Sequence, residues 1–343
     1  MVRFGQVVVG AAGAGKTTYC NGVKHLLSLE GRPNLFVVNL DPASENYAYE
    51  CDVDVRDLVC ARTVQEEYKL GPNGSLVYCI EYLENHLEWL HTQLRGLGGK
   101  GKGEGDGSGG PGDDLYVVLD CPGQVELYST HDSFRAILRS LEKSLEFRFV
   151  CVNLVDLQLC SDPGNFLAAI LLSLNVMLHL ELSHVNVLTK CDLLGRYQDL
   201  AMPFDYFLEA QDLSQYFLGD RLSGRLDAKF NRLTENLCEL VEDFSLVSFV
   251  PVAVEDGKSM HHLMKVLDKC LGYTAAAASA ASGHGDPMDQ RQALMESLDA
   301  SLAAEGIKPD WYEHFIKFGA LRESQQGGGG EQGVGQGGAS GTE

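Results

Sequence analysis

Positive charge is scarce in this sequence. Lys and Arg number 27 against 48 Asp and Glu, a formal net charge of −21 at pH 7. Neutralising a phosphate backbone takes clustered cations, so a general nucleic-acid surface is excluded and other proteins become the expected partners. Organised cysteine is missing too. Ten cysteines are present, but none forms a C-x-x-C pair and their spacings fit no zinc template. Several, such as Cys79, Cys151 and Cys270, sit in apolar, strand-like runs, which reads as buried thiols in a reducing compartment rather than a disulfide framework. Long unbroken apolar runs are also lacking. The greasiest stretch, 166–182, is interrupted by Asn175, His179 and Glu181, and reads as a buried helix rather than a membrane span. No signal-peptide pattern is visible. The expected location is therefore cytoplasmic, with no membrane and no direct nucleic-acid partner.

What is there is a 343-residue chain, 45% hydrophobic, enough for one large or two average domains around a sizeable core. Gly10-Ala11-Ala12-Gly13-Ala14-Gly15-Lys16-Thr17 fits G-x-x-x-x-G-K-[ST], the P-loop. It follows an apolar run at 6–9 and precedes helical spacing over 17–29, the strand–loop–helix context the motif requires. Glycines let the backbone wrap phosphate oxygens with successive N–H groups pointing inward, and the helix N-terminus adds partial positive charge. Gly13, Ala14, Gly15, Lys16, Thr17 and Thr18 are the phosphate-binding candidates. Lys16 should reach the β- and γ-phosphates, and the Thr17 hydroxyl should ligate Mg²⁺.

Further apolar runs read as strands covered on both faces. The run at 35–40 ends in Asp41-Pro42, which places Asp41 at the ligand-binding edge of an open α/β sheet. Asp41 is a candidate for Mg²⁺, its water or the attacking water. The run at 115–119 ends in Asp120-Cys121-Pro122-Gly123-Gln124. A strand ending in Asp is the Walker B arrangement, so Asp120 is a metal candidate. In the D-x-x-G form the Gly123 amide can sense the γ-phosphate, and Gln124 either orients water or is a solvated loop residue. Strands are expected at 149–155 and 184–188, the latter running into Thr189-Lys190-Cys191-Asp192. This is the N/T-K-x-D base-reading pattern: Asp192 accepts from guanine N1–H and the 2-amino group, and the Lys190 stem lies over the ring. Adenine lacks that donor and would leave a buried acid unpaired. A last strand over 246–250 leads to Pro251-Val252-Ala253, with Val252 in the place of the final base-contacting loop, and a closing helix follows over 260–271.

Between these lie other segments. Gly71-Pro72-Asn73-Gly74 is turn chemistry and on composition alone a loop. The stretch 76–94 has one long amphipathic helical pattern. Residues 96–113 are almost all Gly and polar, and are expected to be a disordered loop. Residues 196–243 read as a helical insertion of two or three helices. From 274 to 343 the composition turns to Ala, Ser and Gly, an expected disordered tail. Within it Leu294, Leu298 and Leu302 predict a short helix over 289–302, which with Trp311, Tyr312 and Phe315 is either a partner-binding element or a tail helix without a partner.

With those residues assembled, the chain resembles the GPN-loop GTPases over about residues 4–273. The carriers are 10–18, Asn39-Leu40-Asp41-Pro42-Ala43, Gly71-Pro72-Asn73, Asp120-Cys121-Pro122-Gly123-Gln124-Val125-Glu126-Leu127 and Thr189-Lys190-Cys191-Asp192. Tyr49-Glu50-Cys51, Asp162-Pro163 and 243–249 lean toward the second of the three eukaryotic paralogue groups. The resemblance implies an α/β P-loop NTPase: a three-layer α/β/α fold with a mainly parallel sheet and a small helical insertion, residues 1–273 forming the G domain. It implies GTP and GDP as ligands with Mg²⁺, and a homodimer or a heterodimer with a paralogue, joined through the nucleotide sites. Asn73 would then act on the partner's site. It also implies work in assembly and nuclear import of RNA polymerase II, whose subunits or assembly factors become partners, and shuttling to the nucleus. Two other functions stay open on the residues alone. One is a P-loop kinase, with Arg221, Arg225 and Arg232 as its only arginine cluster. The other is a nucleotide-binding scaffold with negligible turnover.

Overall fold

The computed structural model describes residues 3–32, 34–44, 49–100, 115–197, 203–210, 213, 228–244, 247–273 and 310–327. Seven strands make one sheet: β1 (Arg3–Gly10), β2 (Leu35–Asn39), β3 (Val53–Asp54), β4 (Leu115–Asp120), β5 (Phe147–Asp156), β6 (Ser183–Thr189) and β7 (Phe249–Pro251). Their spatial order is β3-β2-β4-β1-β5-β6-β7, and every pairing is parallel. The strand expected over 246–250 is formed at Phe249–Pro251. Strand β3, Val53–Asp54, was not expected, since 52–64 reads as short helix or loop; the others follow the apolar runs, because strands buried on both faces carry no polar alternation.

Helices cover both faces. Val7 and Val9 of β1, with Val117 and Leu119 of β4, meet α2 (Ala61–Tyr68), α3 (Pro72–Asn85), α4 (Leu87–Lys100) and α6 (Asp132–Leu145). The alternate residues, Val8 and Val118, meet α1 (Lys16–Leu29) and α10 (Gly257–Leu271). This period of two splits one sheet between two cores. The single turn α5 (Glu126–Ser129) lies between β4 and α6. A third apolar cluster joins the inner face of α7 (Pro163–Leu180) to α8 (Phe204–Glu209), α9 (Ala228–Phe244) and α11 (Trp311–Gly327). The three-layer α/β/α expectation holds. Helix α7 has the length and composition of a membrane span, but Phe166, Ile170, Val176 and Leu180 are buried in these cores.

Five local expectations change. Pro72 opens a helix instead of sitting in a loop, since Pro suits the first helical position as well as a turn. The single pattern over 76–94 divides at His86, whose backbone leaves helical geometry. Helix α4 runs on through Gly96 to Lys100, because Leu90, Leu94 and Leu97 bury a common stripe; residues 101–114 lie outside the described residues. Cys79 and Cys270 lie on helices rather than strands, and Cys270 is exposed; all ten cysteines are free. The helix expected over 289–302 lies outside the described residues, but 311–327, expected within a disordered tail, is helix α11.

Candidate functional site

The C-terminal ends of β1, β2, β4 and β6 bring the sequence motifs to one sheet edge, where open α/β sheets bind ligands. Gly10 (φ 145°), Gly13 (φ 81°) and Gly15 (φ 93°) carry the P-loop through backbone that L side chains rarely adopt. A Cβ at Gly10 would lie 2.5 Å from the Leu154 carbonyl oxygen. No side chain caps helix α1 at Gly15, so its first N–H groups face the loop, with Gly13 and Thr18 exposed beside them. Such a helix start favours an anion.

Lys16 is buried and donates to the carbonyls of Gly10 (3.0 Å) and Ala11 (3.1 Å). Burial lowers its pKa, while the charges of Asp120 and Asp41 work the other way. Asp120 ends β4. Burial raises its pKa against the Tyr49 hydrogen bond, the Lys16 charge and a hydrogen bond from Thr17. Asp41 is also pushed up by burial, opposed by the Ala43 N–H and by Lys16. Two carboxylates and one ammonium therefore share a poorly solvated space. A hard cation beside Thr17 and Asp120 fits this donor set, both offering oxygen. The pair alone is not a full protein cage, and none of the described residues form a cluster of three His, Cys, Asp or Glu able to hold a metal. Mg²⁺ in such sites completes its shell with phosphate and water.

Gly123 approaches the P-loop closely: a Cβ there would lie 3.2 Å from both Ala12 Cα and Lys16 Nζ. The Oε1 of Gln124 is buried with no hydrogen-bond partner, an acceptor left for something the protein does not supply. Asn73 is exposed at the start of α3, and among the described residues no hydrogen bond ties it to the P-loop.

At the base-reading end, Thr189 donates to the carbonyls of Ala14 (2.9 Å) and Val155 (3.1 Å), locking β6 to the phosphate loop. Lys190 turns through a left-handed conformation (φ 61°) and donates to Asp156 at 2.5 Å. Asp192 then falls in the first turn of the short helix Cys191–Arg196. Val252 is where expected, but it is wholly buried. Its N–H goes to Leu188 (2.8 Å) and its carbonyl accepts from Cys191 (3.2 Å). It shapes the site as a strut, with no donor to spare for a base.

Two residues at the site were missed as site residues. Tyr49 donates to Asp120 Oδ2 at 2.7 Å. Tyr128 donates to the Gly10 carbonyl at 2.7 Å and accepts from the Gly10 N–H at 3.1 Å, tying the segment after β4 to the P-loop. Tyr128 directly follows the Asp120–Leu127 block, which was its only sequence signal. Of the arginines a kinase lid would need, Arg221 and Arg225 lie outside the described residues and Arg232 is exposed on α9.

A family model described as "Conserved hypothetical ATP binding protein" matches residues 8–273. The chain is 46% identical over 278 residues to the GPN-loop GTPase QQT1 of Arabidopsis thaliana, covering 81% of this chain and 88% of that protein. It is 45% identical over 273 residues to GPN-loop GTPase 2 of Danio rerio, covering 79% and 82%. GPN-loop GTPase 2 of Saccharomyces cerevisiae is 39% identical over 325 residues, covering 94% and 88%. A crystal structure of a GTPase in apo form from Pyrococcus abyssi superposes with a TM-score of 0.58 at 22% identity, covering 78% of this chain and 96% of that one; it supports the fold.

Proposed function

This chain belongs to the GPN-loop GTPase family and is a GTP hydrolase, and from that premise we propose that it works as a Mg²⁺-dependent, dimeric switch in the assembly of a larger protein complex. One observation carries the nucleotide reading. Lys16, Asp120 and Asp192 come from three separate motifs and stand at the ends of three strands of one parallel sheet. The family model's description speaks of ATP, but an acid following Thr189-Lys190-Cys191 suits guanine, whose two N–H donors it can accept.

In this reading the P-loop amides and Lys16 hold the β- and γ-phosphates. Thr17 and Asp120 hold Mg²⁺, which when bound screens phosphate charge. Asp41 and Gln124 both serve the attacking water: Asp41 is a carboxylate kept less acidic by burial, and Gln124 offers an unpartnered carbonyl. Asn73, exposed at the start of α3, acts on the site of a second copy or a paralogue. The client implied by family resemblance is RNA polymerase II with its assembly factors. The working location is then the cytoplasm, with passage to the nucleus.

The test is binding of GTP, GDP and ATP to the full chain, with and without Mg²⁺, while its mass in solution is followed. Guanine-selective binding and a nucleotide-dependent change of mass are expected. Asp192→Asn should lower the GTP-over-ATP preference by about tenfold or more, the loss of a paired buried acceptor. Equal binding of ATP by the unaltered protein would discard the base assignment.

A further inference from the structure

Helix α11 lies beyond the region that the family model matches, which ends at 273, yet it is seated on the base-reading end of the site. Gly319 lies against the backbone of Asp192: a methyl group at 319 would sit 2.6 Å from the Asp192 carbonyl oxygen. One turn earlier, Phe315 is fully buried in the cluster that holds Cys191, Leu194, Phe204 and Ala253. Ile316 packs beside it, its Cδ1 within 3.9 Å of where a side chain on Gly195 would begin. The helix therefore backs the whole turn that displays Asp192.

The same helix reaches the 251–253 loop. His314 Nε2 is 2.8 Å from Asp256 Oδ2. Asp256 caps α10 by accepting from the N–H groups of Lys258 and Ser259. Ser259 Oγ in turn accepts from the Ala253 N–H at 3.2 Å and donates to its carbonyl at 3.1 Å. The two loops are joined directly where the Cys191 N–H meets the Val252 carbonyl. One helix thus bears on the 191–196 turn by packing and on the 251–253 loop through a hydrogen-bonded relay.

We propose that α11 is a positioning element for base recognition, fixing the Asp192 carboxylate through Gly319 and Phe315 and the 251–253 loop through His314. This rests on the reading of Asp192 as the guanine acceptor. A bidentate contact tolerates displacement of only about half an ångström, and a Cβ pressed against a backbone oxygen at 2.6 Å must move one partner by about that much.

The experiment measures GDP and ADP affinity of the full chain carrying Gly319→Ala, His314→Ala or Lys317→Ala, with melting curves to establish folding. Lys317 is an exposed control on the same helix. The expected result is a GDP-over-ADP ratio reduced about tenfold in Gly319→Ala, by less in His314→Ala, and unchanged in Lys317→Ala. ADP affinity should be constant throughout, because the P-loop is untouched. A ratio kept within twofold in folded Gly319→Ala overturns the proposal. So does an equal loss of GDP and ADP binding, which marks a merely structural role. If Gly319→Ala does not fold, the His314→Ala ratio decides by the same criteria. Unaltered protein without any guanine preference would instead remove the Asp192 reading on which the proposal rests.

Discussion

At the scale of single residues, burial sets protonation at both ends of the parallel strands. Lys16, Asp41 and Asp120 are each pushed toward neutrality by desolvation and pulled back by one another's charge, which leaves the site receptive to phosphates and a cation together. His184, near the start of β6, has no such partner. Its Nε2 meets Asn186 Oδ1 at 3.0 Å, and that oxygen also accepts from Asn153. Its Nδ1 is buried without a partner. Burial brings its pKa down from 6.5 to about 4. The folded protein thus binds this proton less readily than the unfolded chain. The contribution to stability is complete above pH 6.5 and is lost as pH falls from there to 4, by about 3–4 kcal/mol at most. Urea midpoints at pH 7.5 and pH 5 should separate more widely for the natural protein than for His184→Gln, which cannot take up the proton. Parallel loss in both proteins would assign the acid sensitivity elsewhere. The P-loop residues were legible because adjacent residues make the motif. Tyr49 was not, because its role exists only once the chain brings position 49 to position 120.

At the scale of elements, the same residue types can write two structures. Gly71-Pro72-Asn73-Gly74 reads as a turn, and Pro72 instead starts α3. What decides is further on: buried Ser75 donates to the Pro72 carbonyl at 2.7 Å and accepts from Gln65 of α2 at 3.0 Å, pinning the first turn to a neighbouring helix. Asn73 is consequently presented outward from a fixed helix start rather than on a loose loop. A fixed outward donor is suited to completing a second subunit's site, since preorganisation is what makes such a donor effective. Asn73→Ala should leave stability within about 0.5 kcal/mol, as for other exposed positions. Turnover per bound GTP should fall by about 10²-fold, the order of one lost transition-state donor, and the difference should widen as protein concentration rises. Single-turnover hydrolysis at several concentrations measures this. Weaker GTP binding with unchanged turnover per bound GTP would make the 71–74 segment structural.

At the scale of the whole molecule, function and closure occupy opposite edges of the sheet. Six of the seven strands were readable, because each lies in a continuous apolar run; β3 was not, because Val53-Asp54 is a two-residue edge strand among acids, in a stretch that reads as short helix or loop. The spatial order of the strands was not readable, because pairing joins segments far apart in sequence, as β1 with β5. Nor was the docking of α11, whose aromatic residues sit in a tail of weak composition and gain meaning only against the 191–196 turn. The far edge shows how the ends of the domain are held. Arg32, after α1 and before β2, makes a forked pair with Asp268 of α10, at 2.9 and 2.5 Å. Its guanidinium stands 4.9 Å from the Tyr273 ring centre and 5.9 Å from that of Tyr116. Glu30 extends the cluster to Arg32 and to His261. Both members of the central pair are mostly shielded from water, so removing one leaves the other charge stranded. Arg32→Ala should therefore cost about 2–4 kcal/mol, and Arg32→Lys should recover only part of it, since an ammonium lacks the planar fork. Because this cluster sits by the N-terminal ends of the strands and the phosphate loop by the C-terminal ends, nucleotide affinity of the folded variant should stay within about twofold, the additivity expected of distant sites. Urea unfolding paired with GDP titration separates the two effects. A loss of affinity matching the loss of stability would show that the two edges of the sheet are coupled through α1.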